Sequence, residues 1–156
     1  VTKLLLSIHV LAAILVVGPI TVAASLFPRY ARQTSSVAAL LHRICRGYAV
    51  AGVAVPVFGI ATAVQLGVLT DAWLLTSLAL TAIAAAVLIL AILPGQRRML
   101  DEATPGDGTG GGAVGAGDTA SRATAARLAM LTGVFNVLWA VVVVLMIVRP
   151  GSTTGA

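Results

Sequence analysis

Few side chains in this sequence could do chemistry. His9, His42, Cys45, Gln65 and Asn136 are the polar or nucleophilic groups set in or beside long apolar stretches. A histidine offers a ring nitrogen to haem or copper, and His9 is the one placed within an apolar run. It sits about five residues in, roughly 8 Å below the edge of that run. Two readings follow: a neutral, hydrogen-bonded packing residue, or a contact to a cofactor or quinone. His42 falls at the other end of the same run's crossing, about 20–30 Å away, so the two rings cannot hold one metal within one chain. Met99, Met130 and Cys45 also fall toward the His42 end. Cys45 is the only cysteine, so an internal disulfide is excluded. It reads as a small packing residue, with palmitoylation or redox chemistry as the rival.

Other chemistry finds no support. The sequence holds no Ser-His-Asp set and no metal-spaced Cys or His pair. The glycines at 106–117 are not followed by the Lys-Ser/Thr that a phosphate-cradling loop needs. No carboxylate lies in any apolar stretch, which disfavours a pump or ion-coupled transporter. The chain is read as non-enzymatic.

The elements that must position these residues are unusually plain. Four stretches, about 4–27, 47–69, 73–93 and 128–148, contain no Asp, Glu, Lys or Arg. Each has about 20 residues, enough to cross a hydrocarbon core of about 30 Å. The chain is 59% hydrophobic and 10% charged, against about 25% charged in soluble domains. The expectation is an all-α, polytopic membrane protein: one bundle of four transmembrane helices, spanning residues 1–156, with no separate soluble domain. The apolar start exceeds the length of a signal-peptide core and is read as a retained first helix.

Charge sets the threading. Arg29, Arg32, Arg43 and Arg46 lie between the first two spans, and Arg97, Arg98, Arg122 and Arg127 between the last two. The other side carries only Lys3, Asp71 and Arg149. The positive-inside rule then places the Arg-rich loops in the cytoplasm and both termini outside a bacterial plasma membrane. Arg29, Arg32, Arg43, Arg46, Arg97 and Arg98 are candidates for contact with lipid phosphates. This placement explains the net charge of +5 without a nucleic-acid partner. Segment 36–46 is amphipathic, with Val37, Leu40, Leu41, Ile44 and Cys45 near one face. A flexible Gly-rich loop is expected at about 103–118, its centre at 105–117, with the polar flanks 96–102 and 119–127 read as extensions of the third and fourth helices. Trp73 marks the outer interface, and Tyr30 with Tyr48 the inner one.

Packing in lipid relies on small residues and a few polar contacts. Gly59, Ala63 and Gly67 form a small-xxx-small run in the second span. Gly133 and Asn136 share a stripe with Ala129 and Ala140 in the fourth. These five residues, Gly59, Ala63, Gly67, Gly133 and Asn136, are the expected helix-packing or partner contacts, with Asn136 facing a partner group. Pro19 and Pro56 remove backbone donors within the membrane and free the carbonyls of Leu15 and Gly52, which reads as fixed bends.

The run Leu5, His9, Val10, Leu11, Ala12, Ala13 and Ile14 resembles the first helix of a bacterial family of predicted four-span integral membrane proteins of unknown function. That family is loosely similar to copper-resistance D type membrane proteins. Nine Arg against one Lys, with abundant Ala, Gly and Val, suggests an actinobacterial genome. Small four-span chains of this kind also resemble accessory subunits of the actinobacterial cytochrome bcc–aa3 respiratory supercomplex. That resemblance implies a non-catalytic subunit in the electron-transport chain, with no cofactor of its own. Its partners would be phospholipid and the integral membrane subunits of cytochrome bcc or aa3. The alternative is a haem- or copper-binding redox or metal-handling protein using His9, and the third reading is a small-solute permease.

Overall fold

Every apolar stretch becomes a helix, because a chain in lipid must satisfy its backbone groups within the segment. The computed structural model describes residues 2–103 and 114–151. Helix α1 runs Thr2–Tyr30, α2 Ser35–Ala51, α3 Ala54–Leu66 and α4 Ala72–Ala86. A π-helical stretch, Val87–Ile92, joins α4 to α5, Leu93–Ala103, and α6 runs Val114–Val148. Four helical spans are long and apolar enough to cross a membrane: Thr2–Tyr30, Ser35–Leu66, Ala72–Ala103 and Thr119–Val148. Among the described residues the fold is all-α, without strands, and the four spans form a bundle. Helix α1 packs on α2, α3 and α6, α4 packs on α6, and α2 packs on α5.

The spans exceed the charge-free stretches because polar residues continue the helices at one end. The second span starts at Ser35, so the amphipathic segment 36–46 begins this helix ahead of the charge-free stretch, as its pattern leads one to expect. Ala38, Leu41 and Cys45 carry its buried face, whereas Leu40, expected on that face, points outward. Helix α6 begins at Val114, inside the expected linker, and residues 104–113 of that linker lie outside the described residues.

The prolines behave differently from one another. Helix α1 continues through both Pro19 and Pro28. The second span instead breaks into α2 and α3 ahead of Pro56. There the Val55 N–H donates to the Gly52 carbonyl at 3.1 Å, and Val53 N–H to that of Val50 at 3.2 Å. The carbonyl that Pro56 cannot serve is thus taken by a tighter turn.

The π-helical stretch has a packing reason. Ala84, Leu88, Ile92 and Gln96 are all buried at four-residue intervals. On a strict α-helix each such step drifts by about 40°. The wider π turn absorbs the drift and keeps all four inside. Phe27, Phe135, Ile92 and Val142 are the largest apolar side chains fully enclosed in the bundle. Phe135 meets Trp139 edge to face, with centroids 6.4 Å apart.

Candidate functional site

The polar groups gather at two ends of the bundle. At the end holding the start of α1, His9 is buried, and its Nδ1 lies 2.9 Å from the carbonyl oxygen of Val55 in α3. A carbonyl oxygen can only accept, so Nδ1 carries the proton and donates. In the neutral ring Nε2 then holds the lone pair. The neighbouring Gly59 makes room for this arrangement: a Cβ there would lie 2.9 Å from His9 Cε1. Gly59 was expected as a helix-packing residue, and its specific task is to seat the imidazole. Ser7, two residues away, donates to the Lys3 carbonyl one turn back and not to His9.

Two apolar cavities meet at this ring. One, of about 330 Å³, lies among α1, α3, α4 and α6 and reaches Trp139. The other, of about 320 Å³, extends toward Trp73 and Arg149. His9, Gly59 and Met146 line both. Met146, in the fourth span, is the thioether that sequence reading overlooks, because no fixed spacing relates it to His9. A small polar cluster lies at the edge of the second cavity. Trp73 is buried and donates its indole N–H to Asp71 Oδ2 at 3.0 Å, and the Arg149 guanidinium stacks 5.5 Å from its ring centroid. Trp73, expected as an interfacial marker, is thus also part of the cavity wall. Contacts around this cavity also place the start of α1 and the end of α6 at the same end of the bundle.

The opposite end holds a different constellation. His42 Nδ1 lies 3.0 Å from Gln96 Oε1, and Gln96 Nε2 lies 3.6 Å from Cys45 Sγ. Gln96 is fully buried, ties α5 to α2, and had no signal in a flank that reads as a polar helix extension. His9 and His42 thus belong to separate networks, as their expected placement at opposite ends requires. Cys45 is fully buried within that packing. Arg29, Arg32, Arg43, Arg46, Arg97 and Arg98 are all exposed.

The remaining candidates take several roles. Ala63 is buried in α3. Gly67 is exposed, with φ 69°, and caps α3 in the left-handed conformation. Within the chain it approaches no other helix closely, since a Cβ there would meet nothing within 4 Å. Gly133 is likewise exposed on α6 with nothing near it. Asn136 was expected to face a partner group, yet its Oδ1 is buried without one among the described residues. Thr132 Oγ1 and Trp139 Nε1 share that state on the same helix. Gln65 is exposed.

Among the described residues no group of three or more His, Cys, Asp or Glu could hold a metal ion. No curated protein and no solved structure matches the chain. One family model, described as "Predicted integral membrane protein (DUF2269)", matches residues 3–150, nearly the whole length, and the chain belongs to that family.

Proposed function

We propose that this multispan membrane protein carries a lipophilic ring cofactor of the haem type on Nε2 of His9. One observation carries the reading: the Val55 carbonyl fixes the tautomer and orientation of a buried histidine that lines two apolar cavities. Histidines that bind metals are commonly held in this way through the other ring nitrogen. A bare ion needs about three or four protein ligands, whereas haem iron needs one or two. Met146 faces the same cavities from α6 and is the candidate for the second position. In this reading the chain holds a redox group without turning over a substrate itself. The test is the absorption spectrum of the protein purified in mild detergent, with and without added haemin. A Soret band lost in His9→Ala and kept in His42→Ala is expected. Absence of any chromophore after haemin addition sinks the proposal, and stoichiometric copper in its place moves it to metal handling.

The outward face of α6 favours a second reading. Ala129, Gly133 and Ala140 are exposed there, small enough for another helix to approach closely. The chain would then be an association subunit of a larger membrane complex, with the cytochrome bcc–aa3 supercomplex the candidate. Extraction from the native membrane in mild detergent and mass spectrometry of what travels with it tests this. Respiratory subunits in fixed ratio support it, and a protein recovered alone removes it. In both readings the Arg-rich loops face the cytoplasm and the termini the outside.

A further inference from the structure

A third cavity, of about 370 Å³, lies between α5 and α6 at the end opposite His9. Its walls change character along its length. Leu90 and Leu131 line the part beside the apolar spans, and Arg98, Glu102, Thr124 and Arg127 line the rest. The two helices meet closely below this polar part, where a Cβ on Gly95 would lie 2.7 Å from Leu128 Cδ2. Arg98 and Arg127 thus reach one space from two different helices. Both side chains are exposed, as is Glu102. The cavity straddles the step from apolar run to charged loop, the level of lipid headgroups.

From this arrangement we propose that the cavity binds an aminophospholipid, independently of any ligand at His9. Its phosphate is held between the guanidiniums of Arg98 and Arg127, whose planar donors suit phosphate oxygens. The Glu102 carboxylate receives the headgroup ammonium, and an acyl chain runs along Leu90 and Leu131. Two cations with one anion match a headgroup of one phosphate and one amine better than a purely anionic headgroup. Glu102 would repel the latter. Inorganic phosphate shares part of this chemistry but leaves the Glu102 and leucine walls unused.

Native mass spectrometry of the full chain tests the assignment. The detergent-solubilised protein is titrated with phosphatidylethanolamine, phosphatidylglycerol or inorganic phosphate. Wild type is expected to retain phosphatidylethanolamine several-fold better than phosphatidylglycerol. Arg98→Gln with Arg127→Gln should weaken that retention about tenfold or more, on the scale of lost charged hydrogen bonds. Glu102→Gln should remove the preference while keeping lipid. Lys3→Gln, which alters an exposed cation at the opposite end of the bundle, should change nothing, and all variants should elute as wild type. Equal retention of the two lipids by wild type overturns the proposal, as does unchanged retention in the double variant. Binding of phosphate with no lipid retained overturns it in favour of a free anion.

Discussion

At the residue scale, the seating of His9 rests on a single missing methyl. A Cβ at Gly59 cannot coexist with His9 Cε1 at 2.9 Å, so one of them must move. Gly59→Ala is therefore expected to cost about 1–3 kcal/mol, as overpacking does. It should also break the hydrogen bond to Val55 and reduce retention of the proposed cofactor. Thermal unfolding in detergent and the Soret amplitude read the two effects separately. Gly67→Ala provides the contrast: it meets no neighbour, yet holds φ 69°, and should cost about 1 kcal/mol with the cofactor unaffected. Gly133→Ala has neither problem and should stay within about 1 kcal/mol of wild type. A larger loss there, measured in the native membrane, would place another helix on that face. His9 was legible in the sequence as a candidate because a histidine inside an apolar run is expensive unless used. Met146 and Trp139 were not legible as its neighbours, since apolar residues in a membrane span carry no sign of which way they face.

At the scale of elements, the four spans were readable because lipid permits so few alternatives, while the details within them were not. The π-helical stretch is invisible to composition: VLILAI reads as ordinary apolar helix. Only the partners of Ala84, Leu88, Ile92 and Gln96 reveal why the turn widens. Over six residues the π turn lags an α-helix by about 100°, the rotation of one residue. Deleting the exposed Leu90 should therefore restore an α-helix and leave Gln96 and Met99 facing inward. Deleting Leu78 from regular α4 should instead rotate everything after it by about 100° and abolish the α2–α5 packing. Monodispersity and thermal unfolding in detergent tell these apart, and equal damage from both deletions would refute the phase argument. Gln96 is a second case: a flank that looks like a polar extension supplies a fully buried amide joining two helices. Gln96→Leu should cost about 1–3 kcal/mol by leaving the part-buried His42 ring without its partner.

For the whole molecule, charge and packing assign different tasks to the two ends of the bundle. At one end Trp73 and Arg149 line an apolar cavity, Asp71 holds the Trp73 indole, and the start of α1 and the end of α6 lie there. The other end is ringed by exposed arginines and a polar cavity. That α1 starts where α6 ends follows from four antiparallel spans, but the side of the membrane is set by the loops during insertion. Eight of the nine arginines fall between the first and second or the third and fourth charge-free stretches, which argues for a cytoplasmic position of those segments. The single cysteine makes this testable without a cysteine-free background, because Cys45 is fully buried. In intact cells, a membrane-impermeant maleimide should label Asp71→Cys and leave Arg32→Cys and Arg97→Cys untouched. After the cells are opened, all three should react, with wild type silent throughout. Labelling of Arg32→Cys in intact cells would invert the topology. The His9 cavities would then open toward the cytoplasm, and the aminophospholipid would have to come from the outer leaflet.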